Sequence, residues 1–181
     1  MINRLVFLSR KQVEHYVATG NNVAISIRDP NRSAPRLHHS IQGRIYLEFD
    51  DDTEYSVGLS PDQVPDLMLG HENGRRIMVN GNELCDYNDA NKMLRFIQRA
   101  IDSEDALEMI IHCEMGISRS AAVAQYIHER YGVPISNGIT NTDRLNKRVF
   151  RLLNKAADGL PPSIGNLPED FLMMKKTHRH Q

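Results

Sequence analysis

The chain contains no tryptophan, only two cysteines among 181 residues, and no apolar run long enough to cross a bilayer. Two cysteines at unrelated positions, Cys85 and Cys113, do not make the disulfide framework of a small secreted domain, and an unpaired thiol suits a reducing compartment. A membrane crossing needs about 20 consecutive apolar residues, so no membrane span is expected. Arg4 and Arg10 bracket an apolar stretch far too short for a signal peptide, which points to a cytoplasmic protein. The formal net charge of −1 argues against nucleic acid as a main partner, because that affinity is built from many cationic contacts to phosphate. No internal repeat is visible. A length of 181 residues suits one domain with a real core.

What the chain does contain is concentrated in His112-Cys113-Glu114-Met115-Gly116-Ile117-Ser118-Arg119-Ser120. Leu107, Met109, Ile110 and Ile111 before it read as a buried strand. Ala121, Ala122, Val123, Ala124 and Ile127 after it begin a helical pattern. A tight loop between strand and helix points its free backbone N–H groups inward, and the helix dipole adds positive potential. Such a nest binds a phosphate or a similar oxyanion. Here the amides of Glu114, Met115, Gly116, Ile117, Ser118 and Arg119 would form it. Gly116 lets the backbone turn where a side chain would clash, and Arg119 can add a planar two-pronged contact to phosphate oxygens. Cys113 would lie at the bottom, its thiolate stabilised by the same N–H groups. A thiolate in line with a bound phosphate is a nucleophile.

This stretch resembles the signature loop of the cysteine-dependent protein tyrosine and dual-specificity phosphatases, H-C-x-x-G-x-x-R-S, and is most similar to the compact forms of bacteria and phages. The resemblance is strong over the loop and weaker over residues 3 to 153. It implies a nucleophilic Cys113, a phosphate-binding Arg119, and Ser120 hydrogen-bonded to the thiolate as it leaves in the second step.

Cleavage of a phosphate ester also needs an acid to protonate the departing oxygen, then a base to activate water. In the family resembled, one aspartate on a mobile loop just after a strand does both. Phe49-Asp50-Asp51 is similar to a common form of that loop, with the second acidic residue as the acid, so Asp51 is the first candidate and Asp52 and Asp50 stand behind it. Mutual repulsion in the triple aspartate should favour protonation of some members. The family's acid often sits about thirty residues before the cysteine, and Asp51 is farther away. Asp86 and Asp89 lie nearer that separation. Asp89 falls in the first turn of a helix, where dipole complementarity explains it, so Asp86 is the rival to Asp51.

The rest of the chain reads as an α/β domain with a central, largely parallel sheet flanked by helices. Leu5 to Leu8, Val23 to Ile27 and Arg44 to Phe49 read as strands. Helices are expected over Arg10 to Ala18 with Ser9 as cap, over Asp89 to Ile101 with Asn88 as cap, and over Asp143 to Ala157. The loop Arg28 to His39, with three arginines and paired histidines, lies at the carboxyl end of a strand, where ligands of α/β sheets sit. Residues 1–160 form one domain with an insertion over 53–84. In that insertion Ser60-Pro61-Asp62 signals a short helix, Gly70 to Gly74 a turn, Arg75 to Val79 a short strand and Asn80-Gly81-Asn82 a turn. Residues 161–181 form a partly disordered extension ending in the basic, histidine-rich Lys175 to Gln181.

The expected activity is phosphomonoester hydrolysis through a phosphocysteine intermediate, with a phosphorylated protein as substrate. Thiolate, arginine and backbone supply what a metal would, so no metal or cofactor is expected. Two other readings keep the loop. One changes the substrate to a phosphoinositide, a nucleotide or an RNA 5′-phosphate. The other makes the chain a phosphate-binding module with weak or lost catalysis.

Overall fold

Every residue from Leu107 to Cys113 is buried, as a strand covered on both faces requires. The computed structural model describes residues 1–67, 76–137 and 141–164. In chain order its elements are β1 (Ile2–Ser9), α1 (Arg10–Glu14), β2 (Asn22–Arg28), β3 (Gly43–Glu48), β4 (Met78–Val79), β5 (Asn82–Glu83), α2 (Tyr87–Ile101), β6 (Leu107–Cys113), α3 (Arg119–Tyr131) and α4 (Lys147–Ala157). The main sheet has the order β1-β6-β2-β3, and all its pairings are parallel. The protein is therefore α/β, and β6 runs through the middle with the candidate loop at its carboxyl end.

Side-chain alternation along β6 separates two apolar layers. Leu107, Met109, Ile111 and Cys113 join Ile25 and Ile27 in the larger cluster, which α2, α3 and α4 cover through Met93, Ile97, Val123, Ile127, Val149 and Leu152. Ile110 joins Val6, Leu8, Ala24 and Ile41 on the opposite face, where Val13 of α1 packs. Cys113 thus faces the three-helix layer by parity alone.

Several boundaries differ from the sequence reading, each for a local reason. Helix α1 starts as expected, with Ser9 and Gln12 forming a capping box, but stops at Glu14 rather than Ala18. The N–H groups of His15 and Tyr16 bond three residues back. The Tyr16 hydroxyl then reaches Glu108 at 2.9 Å, and Ser40 accepts from Ala18 N–H, which turns the chain toward β2. Asp86, not Asn88, caps α2, in a capping box with Asp89. Helix α4 begins at Lys147 because Asn146 caps it by accepting from Val149 N–H; Thr142–Arg144 is a separate 3-10 turn. Ser60-Pro61-Asp62 makes a hydrogen-bonded turn, closed by Gln63 N–H on Ser60 O, and not a helix. The Asn80-Gly81 turn joins β4 to β5, with φ of 51° and 82°, the left-handed pair that a tight hairpin needs. The Gly70 to Gly74 turn, Arg75, Gly138 and the tail from Lys175 to Gln181 lie outside the described residues.

The expected insertion has its own small apolar cluster of Leu59, Val64, Ile77, Val79 and Leu84 and is fastened to α4 by buried charge. Glu54 is 1% exposed and Arg148 fully buried. Arg148 donates to Glu54 Oε1 at 2.5 Å, to Cys85 O at 2.6 Å and to Pro65 O at 2.7 Å. Arg151 also reaches Glu54, at 2.6 Å. Burial alone would raise the Asp66 carboxyl, but Lys155, the Ser163 N–H and Arg151 outweigh it and hold it at about 2. Removing one partner of a buried pair leaves uncompensated charge and orphaned carbonyls, at a cost of about 3–5 kcal/mol. Arg148→Met should lower the unfolding free energy by that amount in urea titrations, and a loss below about 1 kcal/mol would show that Arg151 alone compensates Glu54.

Candidate active site

The loop after β6 is shaped by what lies beneath it. Gly116 has φ +72°, and a Cβ there would stand 2.4 Å from Ser9 N and 2.6 Å from Leu8 C. Both contacts are with backbone at the end of β1, so nothing can yield, and the left-handed conformation independently disfavours a side chain. With glycine in place, the loop closes over Cys113, whose side chain is fully buried. The Gly116 N–H donates to Cys113 Sγ at 3.2 Å, and Ser120 Oγ lies 3.2 Å from the same sulfur. Both contacts suit a sulfur that carries negative charge.

Arg119 opens α3 and is 2% exposed. Its Nη1 donates to Phe49 O at 2.6 Å, and its Nη2 pairs with Asp29 Oδ1 at 2.6 Å. Its Nε is buried and has no hydrogen-bond partner among the described residues. A buried cationic N–H without an acceptor is costly unless a ligand supplies one. The guanidinium is therefore held by two anchors through Nη1 and Nη2, while its Nε–H makes no hydrogen bond among the described residues.

Asp51 lies beside this group, with Oδ1 at 3.8 Å from Arg119 Nε. Ser118 Oγ donates to that oxygen at 2.7 Å, and Asn146 Nδ2 at 3.0 Å. Ser118 occupies the N-cap position of α3 but makes no side-chain cap bond, because its hydroxyl is directed to Asp51. The segment around Asp51 is tied at each neighbour. Asp50 N–H donates to Glu83 O at 2.7 Å, Glu83 N–H returns to Asp50 Oδ2 at 2.7 Å, and Asp52 Oδ1 accepts from Ser56 Oγ at 2.9 Å. Burial raises the Asp50 carboxyl above its ordinary range; the Glu83 N–H opposes this, and Asp29 and Asp52 add to it.

The structure brings Cys113, Gly116, Ser118, Arg119, Ser120 and Asp51 into one site. Asp86 is elsewhere in its bonding: its carboxylate is fully buried, accepts from Asp89 N–H at 2.9 Å and faces Arg76 at 3.7 Å. Two site residues escaped the sequence reading. Asp29 anchors Arg119; the strand-end position of its loop signals proximity, but nothing in the sequence selects this residue among its neighbours. Asn146 holds Asp51, and its signal was legible as an N-cap asparagine before the amphipathic run of α4. Of the three arginines in the loop after β2, Arg28 is engaged with Glu48 at 2.6 Å. His38 and His39 stack on each other at 4.0 Å.

His112 lies on the other face of β6, registered with Ser26 of β2 and bonded to its Oγ through Nε2 at 2.7 Å. Burial pushes it from 6.5 down to about 4. A group depressed in the folded state contributes stability above its unfolded value that is lost as pH falls toward the folded one. Asp89 works in the opposite direction, since burial raises it to about 6. The His112 part is therefore read by difference. The gap in unfolding free energy between wild type and His112→Gln should narrow by about 3 kcal/mol from pH 7 to pH 4; a gap independent of pH would mean that His112 takes up its proton without cost.

No family model matches this chain, and no curated protein or solved structure matches it.

Proposed function

We propose that the protein is a cysteine-dependent phosphomonoester hydrolase of the protein tyrosine and dual-specificity type, working in a reducing cytoplasm where Cys113 stays a free thiol. The observation that carries this reading is the pairing of Cys113 Sγ under the Gly116 N–H at 3.2 Å with a buried Arg119 whose Nε lacks an acceptor among the described residues. A plain oxyanion-binding loop has no use for a sulfur at its base.

The chemistry follows in two displacements. The Cys113 thiolate attacks phosphorus, forming the P–S bond as the P–O ester bond breaks, while the loop amides and Arg119 hold the equatorial oxygens. Asp51 gives its proton to the departing oxygen. Ser118 and Asn146 fix Oδ1, and no described residue donates to Oδ2, which leaves that oxygen for the proton. Water then attacks phosphorus and loses a proton to the Asp51 carboxylate as the P–S bond breaks. The Ser120 hydroxyl, 3.2 Å from Sγ, donates to the departing thiolate. Asp29 and Phe49 O act through Arg119 by fixing its plane.

Freshly reduced protein should hydrolyse an aryl phosphate with EDTA present, and acid quenching during turnover should trap one phosphoryl group on the peptide containing Cys113. Activity that chelation abolishes and a divalent ion restores, or a phosphoryl group on another residue, would sink the mechanism.

A further inference from the structure

The insertion over 53–84 touches the acid segment directly. Glu83 of β5 gives both of its backbone polar groups to Asp50. Its O accepts from Asp50 N–H at 2.7 Å, and its N–H donates to Asp50 Oδ2 at 2.7 Å. The Glu83 carboxylate pairs with Arg76 Nε at 2.6 Å. Arg76 stands just before β4, and its other nitrogens reach further. Nη2 donates to Glu48 O at 2.6 Å, and Nη1 to Asp89 Oδ2 at 2.8 Å. One planar guanidinium thus joins the end of β3, the β4–β5 hairpin and the start of α2, in a geometry that a flexible ammonium cannot reproduce.

The hairpin is itself anchored. Leu84 N–H closes on Ile77 O at 2.9 Å, and Ile77, Val79 and Leu84 are buried in one apolar cluster with Leu59 and Val64. Every residue from 48 to 52 is therefore held by a distant or local partner. Arg76 holds Glu48 O, Arg119 holds Phe49 O, and Glu83 holds Asp50. Ser118 and Asn146 hold Asp51, and Ser56 holds Asp52. Arg76, Glu83 and Ser56 all belong to the insertion.

We propose that the insertion is a positioning arm for the general acid, with Arg76 and Asp50 as positioning residues that act through Asp51. They fix the backbone leading into Asp51 so that its Oδ2 meets the departing oxygen. This rests on the phosphatase reading above. Asp50 is no second acid, because its Oδ2 is engaged by the Glu83 N–H. Burial already disfavours charge on Asp50, so a neutral amide should serve in its place. Displacing a reacting group by about 1 Å can cost about 100-fold in rate, which is the scale on which such an arm matters.

The experiment measures kcat/KM for two aryl phosphates, because that ratio covers formation of the phosphocysteine, the step in which the acid protonates the leaving oxygen. Asp50→Ala removes the acceptor for Glu83 N–H. It should lower kcat/KM by about 10-fold for 4-nitrophenyl phosphate, and by more for phenyl phosphate, whose more basic leaving oxygen depends more on the proton. Asp50→Asn keeps the acceptor and should restore most of the lost rate. In an Asp51→Asn background, Asp50→Ala should cost less than about two-fold further, since a residue that acts through Asp51 has nothing left to position. Thermal melts confirm folding. Arg76→Lys, which keeps a cation beside Asp89, repeats the test from the other end of the arm, with the same dependence on leaving group expected. Unchanged kcat/KM in Asp50→Ala, equal losses on the two esters, a full further loss in the Asp51→Asn background, or an Asp50→Asn variant as impaired as Asp51→Asn would overturn the positioning role. Any of these with turnover by wild type removes the arm alone. Wild type that turns over neither ester removes the phosphatase reading with it.

Discussion

Cys113→Ser should abolish aryl phosphate hydrolysis, lowering kcat by about 10,000-fold or more. The reason lies in what surrounds the sulfur. Its neighbours are the Gly116 N–H and the Ser120 hydroxyl, which favour an anion but cannot take a proton from a neutral nucleophile. A thiol gives up its proton far more readily than a serine hydroxyl in the same place. The imidazole next in sequence is no substitute, because His112 points to Ser26 on the opposite face of the strand. The serine variant keeps the loop amides and Arg119, so it should still bind phosphate or a substrate peptide by calorimetry. A residual rate within about 100-fold of wild type would mean that another group is the nucleophile.

Asp51→Asn should lower kcat by about 100- to 1,000-fold. The loss should grow as the leaving group becomes more basic, since a poorer leaving group needs the proton more. Asparagine preserves the size of the side chain, and Oδ1 can still accept from Ser118 and Asn146, so the change isolates proton transfer from position. Asp86→Asn is the matched control. Asparagine caps a helix about as well as aspartate, and Asp86 is bonded to the start of α2, so kcat should stay within about two-fold of wild type. Full turnover in Asp51→Asn together with a large loss in Asp86→Asn would reverse the assignment.

Much of the candidate site is legible in local sequence, and the exceptions share a cause. The run from Leu107 to Ile111, the glycine at position 116 and the helical pattern from Ala121 are local signals, and β6, the loop and α3 follow them. Helix starts were read less well. Asn88 and Asp143 looked like suitable openings, but the caps formed at Asp86 and Asn146. At Asp86 the choice depends on Arg76, which holds Asp89 at 2.8 Å and donates to Glu48 O at 2.6 Å. At Asn146 it depends on Asp51, to which the same side chain donates. Both are contacts between distant parts of the chain. The short α1 has the same origin, since Glu108 of β6 takes the Tyr16 hydroxyl.

The sequence by itself determined the α/β class, the strand-loop-helix unit and the identity of the sulfur and arginine within it. These depend on side-chain period, on glycine's access to positive φ and on residues a few positions apart, which chain connectivity places together. Only the tertiary structure decided which aspartate joins the site, that Asp29 and Phe49 O orient Arg119, that Asn146 and Ser118 hold Asp51, and that Glu54 is neutralised by Arg148. Those partners are 67 to 95 residues apart in the chain. Their meeting is set by the parallel strand order and by the packing of α4 against α2 and α3, and one-dimensional spacing carries no record of either.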